Sequence, residues 1–346
     1  MPKVLDMLGY SASEIGMLFA AGPMVRFLLP FLFTKGLTLD AKSFKIALLI
    51  MLLSSASFYL SIHSFYQLLY SVIGFGIGLS LILPYIEVVS LEYIGKERYG
   101  KVRLFGSVGF ILVSLILVKF LNSYIVAINF LFTFSFLTSV VAILILQHSH
   151  NVQKSSEKIT NDIHILRDWK LWLGLTLVQV GFGGFYNFFT IYETDHGVSL
   201  NMTVYLWSFG VLVEIFMLYF QGRFLRGNLL NILKITTFAG AFRWFLLFLF
   251  PQNIAILFFA QSIHALSFAL FHSSAISYLF HLYKHKSLAQ QFFSGITYGL
   301  GGFIGAILAG YIYQYYPEYL FLSSSFIALL SFYFIHLWSK SLVINN

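Results

Sequence analysis

Apolar runs, each broken by a few charged or small polar residues, fill the chain from end to end. Eleven of them come close to or exceed the roughly 20 residues a helix needs to cross a bilayer. They fall at 11–33, 43–61, 65–90, 98–120, 123–146, 169–193, 199–225, 229–250, 253–282, 286–315 and 317–338. Several are longer than the hydrocarbon core is thick, which predicts tilt or extension past it. No run alternates with period two, so the strands of a β-barrel are not expected. Ser11-Ala12-Ser13-Glu14 has capping-box spacing and marks the start of the first segment. The pattern predicts an all-α, polytopic membrane protein.

Composition narrows the function classes. Of 346 residues, 59% are hydrophobic and 10% charged, against about 25% charged in an ordinary soluble domain. So little polar surface argues against soluble enzymes, nucleic-acid binders, disordered chains and secreted disulfide scaffolds. The absence of cysteine removes disulfides, thiolate metal sites and cysteine nucleophiles. Met1-Pro2-Lys3 leads into a short mixed segment and then a long apolar run, without the layout of a cleavable signal peptide. There is also no His-Glu-x-x-His, so an intramembrane enzyme is a poor reading. No cofactor is expected.

Charge is a topology signal. The net +8 arises from 21 Lys and Arg against 13 Asp and Glu, and the basic residues are scattered over short loops, not gathered into a nucleic-acid patch. If the stretch around 147–168 is cytoplasmic, the opposite face holds only Lys3 and Lys119, while Arg26 and Arg243 lie inside helices. Removing those four from 21 leaves 17 on the cytoplasmic side. By the positive-inside rule this places the C-terminus in the cytoplasm. Eleven spans then leave the N-terminus outside. The same polar stretch, 147–168, reads as a cytoplasmic linker between an N-terminal part, 1–146, and a C-terminal part, 169–346. Its His148 and His150 lack a nearby acidic or cysteine partner, so no metal site is expected there.

The two parts resemble each other. At an offset of 188, Gly9, Ser11, Leu18, Gly22 and Val25 fall on Gly197, Ser199, Leu206, Gly210 and Val213. At 193, Gly106 through Phe110 falls on Gly299 through Phe303. Parallel copies of this kind commonly enclose a solute site near the bilayer midplane. The first offset also lays Arg26 on Glu214, opposite charges at equivalent depth. A bare charge there costs several kcal/mol, so each is expected to face a cavity or a partner, either as a structural bridge or as a gating pair.

Other polar residues inside the spans are candidates for solute or proton handling. Gln261, His264, Phe268 and His272 follow helical spacing and form one stripe, and histidine titrates near neutrality. Gln179, Gly183, Tyr186 and Thr190 form a second stripe. Arg243 suits an anionic solute group or neutralisation of Glu214. Glu87, late in the third segment, and Arg103, opening the fourth, would meet across a short cytoplasmic loop. Gly295/Gly299 and Gly301/Gly305 have small-xxx-small spacing for close helix packing.

Several of these stretches carry a family resemblance. Tyr99 through Phe110 resembles the start of helix 5 in the 3-phenylpropionate-permease-like transporters of the major facilitator superfamily. Gly9 through Gly16 with Arg26-Phe27 is similar to that family's helix 2, and Leu206 through Val211 with Glu214 to its helix 8. Arg243-Trp244 resembles its helix 9, and Gln261 through His264 to His272 its helix 10. The resemblance implies two six-helix halves, twelve helices in all, of which the first is missing here. It implies a secondary transporter of a bacterial cytoplasmic membrane that moves a small organic solute, such as an aromatic or other carboxylate, by alternating access. It also implies proton symport and a monomer, with protons, solute and lipid as its partners. An exporter or antiporter of the superfamily, or a transport-inactive remnant lacking helix 1, is the competing expectation. Two departures stand out. The superfamily's loop between helices 2 and 3 is degenerate in Thr34 through Asp40, and Phe182 stands where similar family members tend to carry a histidine.

Overall fold

The computed structural model describes residues 1–34, 40–148 and 163–344, with side chains described for all but 33, 34, 87, 88, 90–104, 147, 148, 287, 343 and 344. Among the described residues there are helices and turns and no strand. The helices are α1 (Pro2–Met7), α2 (Ala12–Thr34), α3 (Ala41–Ser61), α4 (Phe65–Phe120), α5 (Tyr124–His148), α6 (Trp169–Asp195), α7 (Leu200–Phe220), α8 (Leu229–Leu249), α9 (Ile254–Ser262), α10 (Phe271–Leu282), α11 (Lys286–Phe292), α12 (Gly301–Tyr315) and α13 (Leu320–Ile344). Nine stretches of the described residues are long and apolar enough to cross a membrane. The other two expected spans are α6 and the shorter apolar Phe105–Phe120. α6 carries Gln179, Asn187 and Glu193, and most of its length is buried by neighbouring helices. Polar side chains are tolerated there far better than against lipid.

Three features differ from the sequence expectation. The loop expected at 91–97 is absent, because α4 runs unbroken for 56 residues. At 1.5 Å per residue it rises roughly 80 Å, more than twice the ~30 Å hydrocarbon core. The stretch from Leu91 to Leu104 has no proline and several good helix formers, so its charges mark a polar boundary without ending the helix. Second, α1 precedes the first predicted segment, with Pro2 in its first turn, where a missing N–H costs nothing. Third, the two long spans before the last each contain a π-helical stretch, Ala265–Leu270 between α9 and α10 and Phe293–Leu300 between α11 and α12.

The internal repeat is visible in the backbone. Gly9 and Gly197 are the only described residues with positive φ, +85° and +88°. Each closes a helix in the same way. Tyr10 N–H donates to Leu5 O and Gly9 N–H to Asp6 O, while Val198 N–H donates to Glu193 O and Gly197 N–H to Thr194 O. This is the Schellman pattern, which needs a left-handed residue at its centre. α2 and α7 then begin at Ala12 and Leu200, the same 188 apart. Ser11 and Glu14 bond reciprocally, as the capping box predicted, with Ser11 N–H to Glu14 Oε2 at 2.8 Å and Glu14 N–H to Ser11 Oγ at 3.3 Å. At this offset α1 falls on the final turns of α6. The 193-residue offset is not matched in environment: a Cβ at Gly106 or Gly109 meets open space, whereas Gly299 and Gly302 lie against α2.

α2 lies against α12 and Phe293–Leu300 along its whole length. From one end to the other the contacts are Ser13 with Gln314, Gly16 with Gly310, Pro23 with Gly302, Phe27 with Gly299 and Pro30 with Gly295. A Cβ at Gly16 would stand 2.6 Å from Ala306 O and 2.9 Å from Gly310 Cα, so the helices approach backbone to backbone. Lys3 adds an ion pair to Asp195 at 3.7 Å beside the Ser13 end.

Candidate functional site

α8 places Arg243 and Trp244 side by side in the interior, 0% and 1% exposed. A guanidinium without water must have its donors satisfied or pay a large desolvation penalty. Arg243 Nη2 donates to Gln261 Oε1 at 2.9 Å, and Nη1 lies 2.9 Å from His264 Nδ1. Its flat faces are covered by aromatics, with the guanidinium carbon 4.2 Å from the Phe185 ring centroid, 4.3 Å from that of Trp244 and 5.9 Å from that of Phe182. Such cation–π contacts strengthen when desolvated. Gln261 and His264 are one turn apart and reach the same cation. Gly210 of α7 leaves room for them, since a Cβ there would lie 3.0 Å from Gln261 Oε1.

The hydrogen bonds set the state of His264. Arginine only donates, so Nδ1 must offer its lone pair and the ring proton sits on Nε2. That nitrogen is 3.7 Å from Glu214 Oε2. In this arrangement His264 is neutral, and its Nε2 stands near the carboxylate but beyond direct hydrogen-bond reach. Arg243 was expected either to bind an anionic solute group or to neutralise Glu214; here the His264 ring stands between the two.

Tyr186 of α6 extends the cluster. It is 40% exposed and interacts electrostatically with Glu214, Arg243, Arg26 and Tyr298. Arg26, from α2, interacts with Tyr186 and Tyr298. Tyr298 in turn lies 2.6 Å, hydroxyl to Nδ1, from His272. The structure therefore gathers Arg26, Tyr186, Glu214, Arg243, Gln261, His264 and His272 into one region.

Other expectations are placed differently. The predicted stripe of Gln261, His264, Phe268 and His272 holds through Phe268, whose ring stacks on His264 at 5.2 Å and 6°. His272 bonds instead to Tyr298. The wider i→i+5 turn of Ala265–Leu270 changes the register on which the even spacing relied. The second stripe also divides. Gln179 and Gly183 pack on Gly301 and Gly305, and Thr190 Oγ1 accepts from Trp207 Nε1 at 3.1 Å. Phe182, at the position where a histidine was expected, is part of the aromatic shell of Arg243. The side chains of Glu87 and Arg103 lie outside the described residues, as do residues 35–39 and most of the 147–168 stretch.

Two groups escaped the sequence reading. Tyr298 is one of 21 tyrosines, and only its seat beside Gly299 hinted at a special place. The other is Asp168, 2% exposed, which accepts from Tyr283 Oη at 2.7 Å and from Arg167 Nε and Nη2 at 2.8 and 3.0 Å. Burial first, then this bond to Asp168, pushes the Tyr283 hydroxyl above its ordinary range.

Membrane-length helices repeated along the chain, with a buried polar cluster fed by both copies, define a polytopic membrane transporter of the major facilitator fold. The solved nucleoside transporter NupG has the same fold, with a TM-score of 0.76 at 16% identity over 97% of this chain and 92% of that one. So has a bacterial homologue of the human lysosomal transporter Spinster, in an inward-facing and occupied conformation, at 0.67 and 13% over 98% and 91%. The profile of the MFS_1 like family matches residues 1–323, and the chain belongs to that family. It is 24% identical over 339 residues to a probable 3-phenylpropionic acid transporter of Escherichia coli (strain K12), covering 93% of this chain and 88% of the relative. It is 26% identical over 322 residues to the uncharacterized transporter YwbF of Bacillus subtilis (strain 168), covering 88% and 79%. The chain is an integral membrane protein that transports a small solute, and not an enzyme.

Proposed function

We propose that this protein is a proton-coupled symporter of a small organic anion in a bacterial cytoplasmic membrane, working as a monomer by alternating access. Residues 1–146 and 169–346 are its two halves, 147–168 the cytoplasmic linker, and the C-terminus faces the cytoplasm. The observation that carries the reading is the neutral His264 held between the carboxylate of Glu214 and the guanidinium of Arg243. A proton arriving at Nδ1 of His264 would set two donors against each other, so Arg243 must let go. The guanidinium then needs a new acceptor, and a solute carboxylate supplies one. Proton and anion are thereby favoured together, which is the thermodynamic requirement of symport. Glu214 holds the imidazolium while it exists. Phe182, Phe185 and Trp244 around the cation favour an aromatic carboxylate, in keeping with the name of the Escherichia coli relative.

The test is uptake into proteoliposomes under an imposed pH gradient, with a panel of aromatic monocarboxylates led by 3-phenylpropionate. Wild type should accumulate its solute only when the gradient is present. Glu214→Gln should abolish accumulation while sparing solute exchange. Accumulation that ignores the gradient would sink proton coupling, and unchanged accumulation by Glu214→Gln would leave that residue a structural role.

A further inference from the structure

One buried acid lies outside the cluster around Arg243. Glu193, two residues before the half-exposed Asp195 at the end of α6, is 0% exposed. Neither of its carboxyl oxygens has a hydrogen-bond partner among the described residues. Its counterpart in the internal repeat, at the 188-residue offset, is Leu5, which is 2% exposed and accepts the same Schellman hydrogen bond through its carbonyl. The position is thus packed as an apolar one in both copies, and the local fold needs no carboxyl there. An ionised carboxylate in this setting would be a charge with neither water nor donor, so the group is held as the neutral acid. The charges around it are engaged elsewhere. Lys3 of α1 pairs with Asp6 at 2.7 Å and with Asp195 at 3.7 Å. Asp195 Oδ2 also accepts from Tyr313 Oη of α12 at 2.7 Å. Glu14 of α2 is bonded to Ser11, and His196 Nδ1 lies 2.7 Å from Tyr192 O. α7 carries no charged residue before Glu214. Glu318, which precedes α13, Tyr192 and the Met1 amino group make no hydrogen bond to Glu193 either.

The acid sits where the two parts of the chain meet. α1 packs against α6. Lys3 with Asp195 and Ser13 with Gln314 join the N-terminal part to the C-terminal part at the end where α2 begins, the outer end in the proposed topology. We propose that Glu193 is a proton-binding site that governs closure of this outer end. As the halves close there, Glu193 takes one proton from outside water. When they part, the carboxyl is hydrated, ionises at neutral pH as exposed carboxyls do, and returns the proton to the same side. Outside acidity therefore favours closure, and alkalinity favours opening. The proton makes a round trip to the outer medium, which keeps this site separate from the coupling proton assigned to His264. The inference rests on the alternating-access reading but not on proton coupling.

Spin labels on Met7→Cys and Tyr316→Cys, two exposed positions in the otherwise cysteine-free chain, report how far the halves stand apart at this end. In lipid nanodiscs without solute, the ratio of short to long distances should fall as pH rises, by about tenfold per pH unit where one proton is linked. Glu193→Gln keeps the shape of the side chain and cannot ionise, so it should hold the short distance throughout that range. Glu193→Leu, matching the apolar side chain of Leu5, should do the same, and it decides alone if Glu193→Gln fails to reconstitute. A pH response that survives in either variant, or an end that stays open in them, overturns the proposal. So do two wild-type populations whose ratio is flat or rises with pH. A single wild-type distance at every pH and with every solute of the panel removes alternating access, and this proposal with it.

Discussion

Arg243 shows how much one buried side chain can decide. Its fork reaches Gln261 and His264 at once while its faces lie on Phe185 and Trp244. A lysine places its charge at a single point and has neither fork nor flat face. Arg243→Lys should therefore lower solute uptake roughly tenfold or more by the loss of a charge-assisted hydrogen bond, although the charge is kept. Uptake at equal membrane abundance measures this, and near-normal transport would show that charge alone suffices. His264 makes the complementary point. Its helical spacing from Gln261 was legible as a stripe, yet its tautomer follows from a partner on another helix. Nothing in the local sequence around His264 names Arg243.

At the scale of elements, glycines set how closely α2 approaches α12. Gly16 lies backbone to backbone with α12, whereas a Cβ at Gly22, on the same helix, meets nothing within 4 Å. Gly16→Ala should prise α2 from α12 and cut transport strongly, while Gly22→Ala should transport normally. Uptake by the two variants side by side checks this, and equal rates would show that the seam is not tight in the working protein. The helix boundaries were largely legible, since apolar length and caps such as Ser11 with Glu14 are local properties. Two kinds of boundary were not. The charges near residues 91–97 were read as a loop, but a helix can continue through polar residues when no proline interrupts it. The π-helical turns at Ala265–Leu270 and Phe293–Leu300 leave no mark on apolar periodicity and yet re-aim His272.

The whole molecule poses the question of relative motion. The chain contains no cysteine, so a designed pair stands on a clean background. Ser13 Oγ donates to Gln314 Oε1 at 2.6 Å between α2 and α12, which belong to different halves in the proposed alternating-access scheme. Cysteines at these two positions, joined by a short reducible bifunctional reagent that spans the length of the lost glutamine, should block turnover, and reduction should release it. Full transport by the cross-linked form would mean that the halves need not part at this end.

Length, apolar periodicity and charge placement determined by themselves that this is a many-helix membrane protein built from a repeat. Those signals are local or additive: each span must satisfy lipid on its own, and each left-handed turn, as at Gly9 and Gly197, needs its own glycine. The sequence also singled out the buried charges, because any charge in an apolar span is costly wherever it points. What the tertiary structure decided was their partners. Arg243 with His264, Glu214 beyond it, and Tyr298 with His272 join residues from separate helices. Their pairing depends on crossing geometry, helix register and glycine contacts, and a one-dimensional pattern holds none of these.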